Sequence, residues 1–233
     1  MSVIKVKNHE IVIPGDLLAE GNFKYGEGVI KKGNVYYSTL VGLFQDKGEF
    51  IQVKSLKGKY IPRPGDLVIG KIVEVGLTNW IVDVGAPYSA VLLANNATEK
   101  RFDPVKDDTR KIFDIGDIIL TKIASFDRTR DPSLLTNERG LGKLRGGRVI
   151  EIEAAHIPRV IGKKGTMINM VKRLTRTQII TGQNGRVWIH GKKPEDELKA
   201  IESIRKIELE AHTQGLTDRI RDMLSNGQTE NEV

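Results

Sequence analysis

The chain has 233 residues, with 37 Lys or Arg against 30 Asp or Glu and a pI near 9.5. This length allows one or two domains, or three small ones, and the positive charge favours an anionic partner such as nucleic acid or a membrane surface. The absence of cysteine excludes disulfides, thiolate nucleophiles and cysteine zinc sites. No apolar run approaches the roughly 20 residues of a membrane-spanning helix, and the charged N-terminus is unlike a signal peptide. We therefore expect a cytoplasmic protein without membrane contact.

A short sequence motif occurs three times along the chain, as PGDLL from Pro14, PGDLV from Pro64 and IGDII from Ile115. Glycine adopts the special dihedral angles of a turn, and aspartate caps the turn with its own carboxylate. The pattern predicts that each copy opens a β-strand. Three chance copies of a common turn are the alternative.

Residues 1 to 62 are predicted to form an N-terminal β domain. The runs EIVIPGDLL, NVYYSTLVGLF and EFIQVKSL are typical of strands, and QDKGE is typical of a hairpin turn. A domain of this size is marginal by itself. We expect it to pack on a neighbouring domain or on a partner.

Residues 63 to 145 are predicted to form a small barrel after the boundary at Pro62 and Pro64. Five β-rich runs are separated by turn residues: GDLVIGKIVEVG, NWIVDVG, YSAVLLA, GDIILTKIASFDR and SLLT. Five short strands of this kind are typical of the OB fold. The polar connection NNATEKRFDPVKDDTRKIFDIG, with room for a helical turn, is the natural loop for contact with a ligand.

Residues 146 to 224 change to an α/β pattern after a glycine-rich bridge, and residues 225 to 233 are expected to be a flexible tail. The predicted order is strand, short helix, GKKG loop, helix, two strands joined by GQNG, and a long helix from Pro194 that breaks at Gly215. In the second helix Met167, Val171 and Leu174 form a core-facing stripe. The fold class is thus multi-domain and mostly β, with one α/β module.

The GKKG loop, Gly162 to Gly165, is the strongest candidate site. It does not match the phosphate loop G-x-x-x-x-G-K-[ST], because the residue five positions before Gly162 is Ile157. It does match the G-x-x-G loop of a KH domain, in which two glycines let the backbone approach an RNA phosphate. Nine Lys or Arg and no Asp or Glu occur from His156 to Lys193, so Arg159, Lys163, Lys164 and Arg186 are candidate RNA contacts. A tight corner between helices with solvated lysines is the alternative.

The five-stranded segment resembles an S1 domain of the OB class. Where many S1 domains carry exposed Phe and His for base stacking, we align Ile81 and Leu93, so stacking is in doubt; Trp80 and Tyr88 are weaker substitutes. Basic residues of the barrel are better candidates for a sequence-tolerant electrostatic path. These are Arg101, Lys106, Arg110, Lys111, Lys122, Arg128 and Arg130.

Catalytic and metal-binding patterns are not evident in the sequence. The four histidines have no metal-ligand spacing, and no recognisable carboxylate pair suits a metal ion. We therefore expect no metal, no cofactor and no catalytic residues.

The order of a small β domain, an S1 barrel and a KH domain resembles the RNA-binding cap subunit of the exosome, the ribosomal RNA-processing protein four family. The resemblance covers nearly the whole chain, and TGQNGRVWIHG matches the G-x-N-G element of exosome KH domains. The motif VIGKKG and the lack of a long extension are similar to the archaeal form. The resemblance implies that Gly182, Asn184 and Gly185 are structural and help the KH domain to pack beside S1, which could also shield part of the GKKG loop.

The resemblance also implies a function. Three cap subunits would sit on a hexameric ring of phosphorolytic subunits, with residues 1 to 62 on the ring and the barrel at its entrance. This subunit would tether single-stranded RNA for 3′ to 5′ degradation without being a nuclease itself. Two other classes of protein also combine S1 and KH domains. A transcription elongation or termination factor carries tandem KH domains, and a polynucleotide phosphorylase places KH before S1 after long catalytic domains.

Overall fold

The computed structural model describes residues 2–55, 59–98, 102–127, 129–211, 213 and 215–229. The chain divides into two compact units, Met1–Gly58 and Lys59–Val233. Within the described ranges, no helix is long and apolar enough to cross a membrane.

The first unit is built from strands arranged in two four-stranded sheets, with orders β1-β3-β6-β5 and β2-β7-β8-β4. Buried side chains between them include Leu18, Tyr36, Phe44 and Ile51. The strands are β1 (Val3–Ile4), β2 (Ile11–Val12), β3 (Leu17–Glu20), β4 (Lys24–Tyr25), β5 (Val29–Lys32), β6 (Val35–Ser38), β7 (Gly42–Asp46) and β8 (Phe50–Ser55).

All three copies of the Gly-Asp motif form the same turn. Gly15, Gly65 and Gly116 have φ angles of 97°, 91° and 90°, a region that glycine adopts without the steric cost of a Cβ. In each copy the aspartate N–H donates to the carbonyl three residues earlier, at 3.1, 3.0 and 3.1 Å. A strand starts directly after each copy, at Leu17, Leu67 and Ile118, which confirms that each motif opens a strand.

The second unit begins with a closed five-stranded barrel. Its strands are β9 (Leu67–Val75), β10 (Asn79–Asp83), β11 (Ala90–Leu93), β12 (Ile118–Asp127) and β13 (Arg130–Leu135). The barrel closes because β13 pairs with β11 in parallel and with β12 antiparallel. The connection between β11 and β12 contains two short helices, α1 (Ala94–Ala97) and α2 (Thr109–Ile112), and β14 (Gly142–Lys143) pairs with β12 after the barrel.

The KH domain follows with a three-stranded sheet of order β15-β17-β16, covered by helices. Its core includes Val160, Val171, Ile189 and Ile204. The elements are β15 (Arg148–Glu151), α3 (Ile157–Ile161), α4 (Thr166–Thr175), β16 (Thr177–Thr181), β17 (Arg186–Gly191), α5 (Pro194–Leu209) and α6 (Leu216–Thr229), with one-turn 3₁₀ helices at Ala154–His156 and Lys163–Gly165. The predicted order of elements is confirmed, and α6 continues five residues into the segment 225–233 that was expected to be a flexible tail.

Candidate nucleic-acid interface

The GKKG loop is a compact turn between α3 and α4. Gly162, Lys164 and Gly165 have φ angles of 74°, 53° and 78°, and the Gly165 N–H donates to the Gly162 carbonyl at 3.1 Å. A Cβ on Gly162 would lie 2.7 Å from the Cβ of Met167, which is closer than side chains approach. The loop therefore needs glycine at this position to bring the chain into α4.

The two lysines of the loop point into solvent. Lys163 and Lys164 are both exposed, and neither has an ion-pair partner among the residues that the structure describes. The first turn of α4 follows directly on the loop, so the positive end of the helix dipole lies beside the two lysines. Exposed ammonium groups beside a helix N-terminus suit a phosphodiester. RNA binding by the loop is a prediction that this geometry supports.

Arg159 lies about one turn before the loop, in α3, and its guanidinium contacts the connection between α5 and α6. Its Nη2 donates to the carbonyl of Thr213 at 3.1 Å, in the connection between α5 and α6. Its Nε is buried without a hydrogen-bond partner in the described part of the chain. Arg159 is therefore half-buried and engaged within the domain, in contrast to the exposed lysine pair.

Arg186 is held in a network that sequence reasoning missed. Its Nη2 is 2.7 Å from the Asp83 carboxylate, its Nη1 donates to the Asp83 carbonyl at 2.6 Å, and its Nε is 2.9 Å from Glu151. Burial opposes ionisation of Asp83, but hydrogen bonds from Arg186 and from the Gly85 N–H outweigh it and lower the pKa of the carboxyl below its usual value. With these contacts Arg186 joins the KH domain to the barrel. Arg186 is therefore less available to an RNA phosphate than the exposed loop lysines.

The GQNG turn extends the same contact by hydrogen bonding to the barrel backbone. The Gln183 N–H donates to the Leu67 carbonyl at 2.8 Å, and the Gln183 side-chain Oε1 accepts from the Leu67 N–H at 2.5 Å. Asn184 donates from Nδ2 to the carbonyls of Ile69 and Val84, both at 2.8 Å, and accepts from the Ile69 N–H at 3.3 Å. The turn covers the start of β9, whose pairing with β10 begins only at Lys71.

Glycine is needed on both sides of Asn184 for this close approach. A Cβ on Gly182 would lie 2.9 Å from the Ile69 nitrogen, and a Cβ on Gly185 would lie 2.3 Å from the Ile152 carbonyl oxygen. Gly185 also has a φ angle of 85°. Both glycines and Asn184 are buried, a setting that fits the structural role implied for them by the resemblance.

An apolar cluster completes the contact between the barrel and the KH domain. Ile69 and Leu120 of the barrel pack with Trp188 of the KH domain. The Trp188 indole donates from Nε1 to the Gly146 carbonyl at 2.9 Å. Because burial of apolar surface and hydrogen bonds act together here, these two domains form one compact unit.

The basic residues predicted for the barrel are not equivalent. Arg110 and Lys111 lie on α2 and are exposed, whereas the Nζ of Lys122 is 3.1 Å from the Glu138 carboxylate. Arg101 and Arg128 lie outside the described residues. Lys106 and Arg130 are exposed as well, and the Lys106 Nζ is 3.9 Å from the Asp103 carboxylate. Of the predicted electrostatic path, Arg110, Lys111 and Arg130 are thus exposed in the described part of the chain.

The structure shows which aromatic side chains of the barrel are accessible for stacking on a base. Trp80 is fully buried, and its Nε1 donates to the Phe113 carbonyl at 2.8 Å, so it belongs to the core and cannot stack on a base. Tyr88 is half-buried against Phe126, with ring centroids 5.2 Å apart. The aligned stacking positions hold half-buried Ile81 and exposed Leu93, which lack a π-face.

Metal chemistry has no candidate among the described residues. No group of three or more His, Asp or Glu there is arranged to hold a metal ion. The positively charged loop and helix surfaces are thus the features that the structure offers to a ligand, and their chemistry suits an anion.

Family models match along most of the chain. The model of the exosome RNA binding protein RRP4 N-terminal domain matches residues 9–57, that of the RRP4 S1 domain matches residues 59–125, and a KH domain model matches residues 147–195. A crystal structure described as that of an exosome complex RNA-binding protein is similar, with a TM-score of 0.70 and 37% sequence identity; it covers 75% of this chain and 100% of its own.

Curated relatives match over nearly the full length. "Exosome complex component Rrp4" of Thermococcus kodakarensis is 51% identical, covering 96% of this chain and 88% of its own. The proteins of that name from Pyrococcus furiosus and Thermofilum pendens are 50% and 41% identical, covering 96% and 95% of this chain and 86% and 94% of theirs. The chain therefore belongs to the Rrp4 family of exosome complex components.

Proposed function

We propose that this protein is a non-catalytic RNA-binding cap subunit of an archaeal exosome. The observation that carries the proposal is the exposed GKKG loop, with two unpaired lysines at the start of α4, in a chain of the Rrp4 family. The subunit holds single-stranded RNA through its phosphates while phosphorolytic ring subunits degrade the RNA from its 3′ end. The family favours this function over a transcription elongation or termination factor.

The mechanism is tethering. Backbone contacts that are individually weak raise the local concentration of an RNA 3′ end near the entrance of the ring. Three cap subunits on a hexameric ring would multiply this effect. Because the contacts release counterions, binding is expected to weaken with salt, with a slope of about 0.7 in log affinity per phosphate neutralised.

The N-terminal unit presents a surface that suits docking on the ring. Ile11 of β2 pairs with Leu43 of β7. Ile13, which follows β2, is 55% exposed, and Val41, which precedes β7, is 50% exposed. Ile11 itself is 63% exposed. Exposed aliphatic side chains grouped in this way mark a protein contact, and the phosphorolytic ring subunits are the proposed partner.

The RNA-binding part is tested by fluorescence anisotropy with a labelled single-stranded RNA. We expect the double variant Lys163→Glu/Lys164→Glu to weaken binding at least tenfold at low salt. The matched control is Lys32→Glu/Lys47→Glu, which reverses two exposed lysines of the first unit and should bind normally. Unchanged titration curves for the loop variant would remove RNA binding from the GKKG loop.

The docking part is tested by co-purification. A tagged chain should retain phosphorolytic ring subunits in stoichiometric amounts, whereas Ile11→Asp/Val41→Asp should lose them and still bind RNA. RNA polymerase or ribosomal proteins in place of ring subunits would refute the cap role and support the transcription or translation alternative.

A further inference from the structure

Helix α4 carries a second basic surface that starts where the GKKG loop ends. Its exposed residues Thr166, Asn169 and Arg173 are spaced by three or four positions, so they lie on one side of the helix. Exposed Arg176 follows directly as the C-cap residue, with a left-handed φ angle of 54°. The opposite side of α4 is buried against the KH core. Two arginines therefore continue the line of positive charge from Lys163 and Lys164 along the helix.

The sheet adds a further cation at the far end of this line. Thr177 of β16 pairs with Gly191 of β17, and because the strands are antiparallel, the preceding Arg176 and the following Lys192 leave the pair side by side. Both residues are exposed. Arg173, Arg176 and Lys192 thus form a cluster, named here the α4 cluster, at the C-terminal end of α4.

The α4 cluster is not neutralised by carboxylates. No Asp or Glu occurs from residue 157 to residue 192, and within the described residues its three cations have no ion-pair partner. Other cations of the second unit do have partners: Lys122, Lys143, Arg148, Arg186, Arg205 and Arg221. The nearest acids in sequence are Glu195 and Asp196, in the first turn of α5.

We propose that the α4 cluster is a second RNA-backbone site, which extends the contact of the GKKG loop over additional phosphates. This inference rests on the proposed RNA-binding function. The ten residues of α4 give a length of about 15 Å at 1.5 Å per residue, which separates the cluster from the loop. Since a G-x-x-G loop holds about four nucleotides, only a longer strand can reach both sites.

The binding is sequence-tolerant, because the cluster offers charge but no aromatic face to a base. Guanidinium groups bind phosphate oxygens in a bidentate manner, so they read the backbone and not the base edges. The cluster therefore contributes affinity and salt dependence for any single-stranded RNA of sufficient length.

The test compares RNA lengths in the full chain. Arg173→Glu/Arg176→Glu should weaken binding of an RNA of about 12 nucleotides roughly tenfold at low salt, and should lower the salt slope by about 1.4, or 0.7 for each of two phosphates. Binding of an RNA of about four nucleotides should change less than about twofold, because such a strand fills only the loop. Arg173→Gln/Arg176→Gln, which keeps the length of the side chains without the charge reversal, should give a smaller loss of the same kind.

Controls separate this proposal from the function on which it rests. Lys32→Glu/Lys47→Glu changes the net charge equally and should affect neither RNA, and unchanged urea midpoints would show that the α4 variants are folded. An equal loss for both lengths, or no loss for the longer RNA, would overturn the second site while RNA binding itself stands. Failure of the unmodified chain to bind either RNA would refute the RNA-binding function.

Discussion

At the scale of single residues, Asn184 has the largest structural role for its size. One buried side chain satisfies the Ile69 N–H and the carbonyls of Ile69 and Val84. Buried backbone groups without a partner are costly, because they have lost water and gained nothing in return. Asn184 therefore stabilises the barrel and the KH domain together.

We predict that Asn184→Ala lowers the free energy of unfolding by about 1–3 kcal/mol, the cost of leaving buried polar groups unpaired. Urea denaturation would measure the change. Gln178→Ala, at an exposed position of β16, is the control and should stay within about 0.5 kcal/mol of the parent. Equal effects of both substitutions would mean that the Asn184 hydrogen bonds contribute nothing specific.

The ion pair of Asp83 with Arg186 should make stability depend on acidic pH. The folded-state pKa of Asp83 is lowered, so its contribution is fully present above the unfolded-state pKa of about 3.9 and is lost as the pH falls through the folded-state pKa. Asp83→Asn should therefore be less stable than the parent at pH 7, and the difference should shrink below about pH 4. Urea midpoints measured from pH 7 to pH 3 would check this, and a constant difference would contradict it.

Sequence reasoning found Arg186 but not its partners. Asp83 lies 103 positions earlier in the chain, and no local pattern links the two residues. The same holds for Lys122, whose partner Glu138 lies beyond the following strand. Ion pairs between distant segments depend on how strands and domains pack, so a list of basic residues overestimates the number available to RNA.

Among the connections between elements, the GKKG loop combines two exposed lysines with backbone strain. Lys164 has a φ angle of 53°, a left-handed conformation that costs a residue with a Cβ about 1 kcal/mol or more. An exposed lysine in this conformation is unfavourable for folding. The charge at this position is the feature that could compensate through RNA binding.

Two substitutions of Lys164 separate charge from strain. Lys164→Gly and Lys164→Ala remove the same charge, so they should weaken RNA binding equally. The glycine variant should be more stable than the alanine variant by about 1 kcal/mol, because only glycine adopts this conformation without cost. Anisotropy and urea denaturation would measure both effects. Different RNA affinities for the two variants would show that loop conformation matters as well as charge.

The predictability of elements follows their length. The barrel strands were predicted from β-rich runs between turn residues, and α4 was predicted with a core-facing apolar stripe. The long helix α5 was predicted from its start at Pro194. The two-residue strands β1 and β4 carry too few residues for any periodicity. The run NVYYSTLVGLF was predicted as continuous β structure, but its halves β6 and β7 belong to different sheets, a division that depends on packing between the sheets.

At the scale of the whole molecule, the contact between the barrel and the KH domain sets how the second unit folds. The GQNG turn, the ion pair of Arg186 with Asp83 and the apolar cluster around Trp188 all cross the same boundary. Interactions of this number and burial couple the unfolding of two domains. The barrel and the KH domain should therefore unfold as one cooperative unit, which fixes the exposed cations of both domains relative to each other.

The two tryptophans allow this coupling to be measured, because Trp80 lies in the barrel core and Trp188 lies on the KH side of the contact. In Trp188→Phe the remaining Trp80 fluorescence reports unfolding of the barrel, and in Trp80→Phe the remaining Trp188 fluorescence reports unfolding of the KH domain. We expect urea transitions from fluorescence and from circular dichroism at helical wavelengths to coincide within each variant, as for a single cooperative transition. Adding Asn184→Ala and Arg186→Ala should remove the contacts of these two side chains with the barrel and separate the transitions. Separate transitions before these additions would show that the domains fold independently, and their RNA sites would then act as tethered modules.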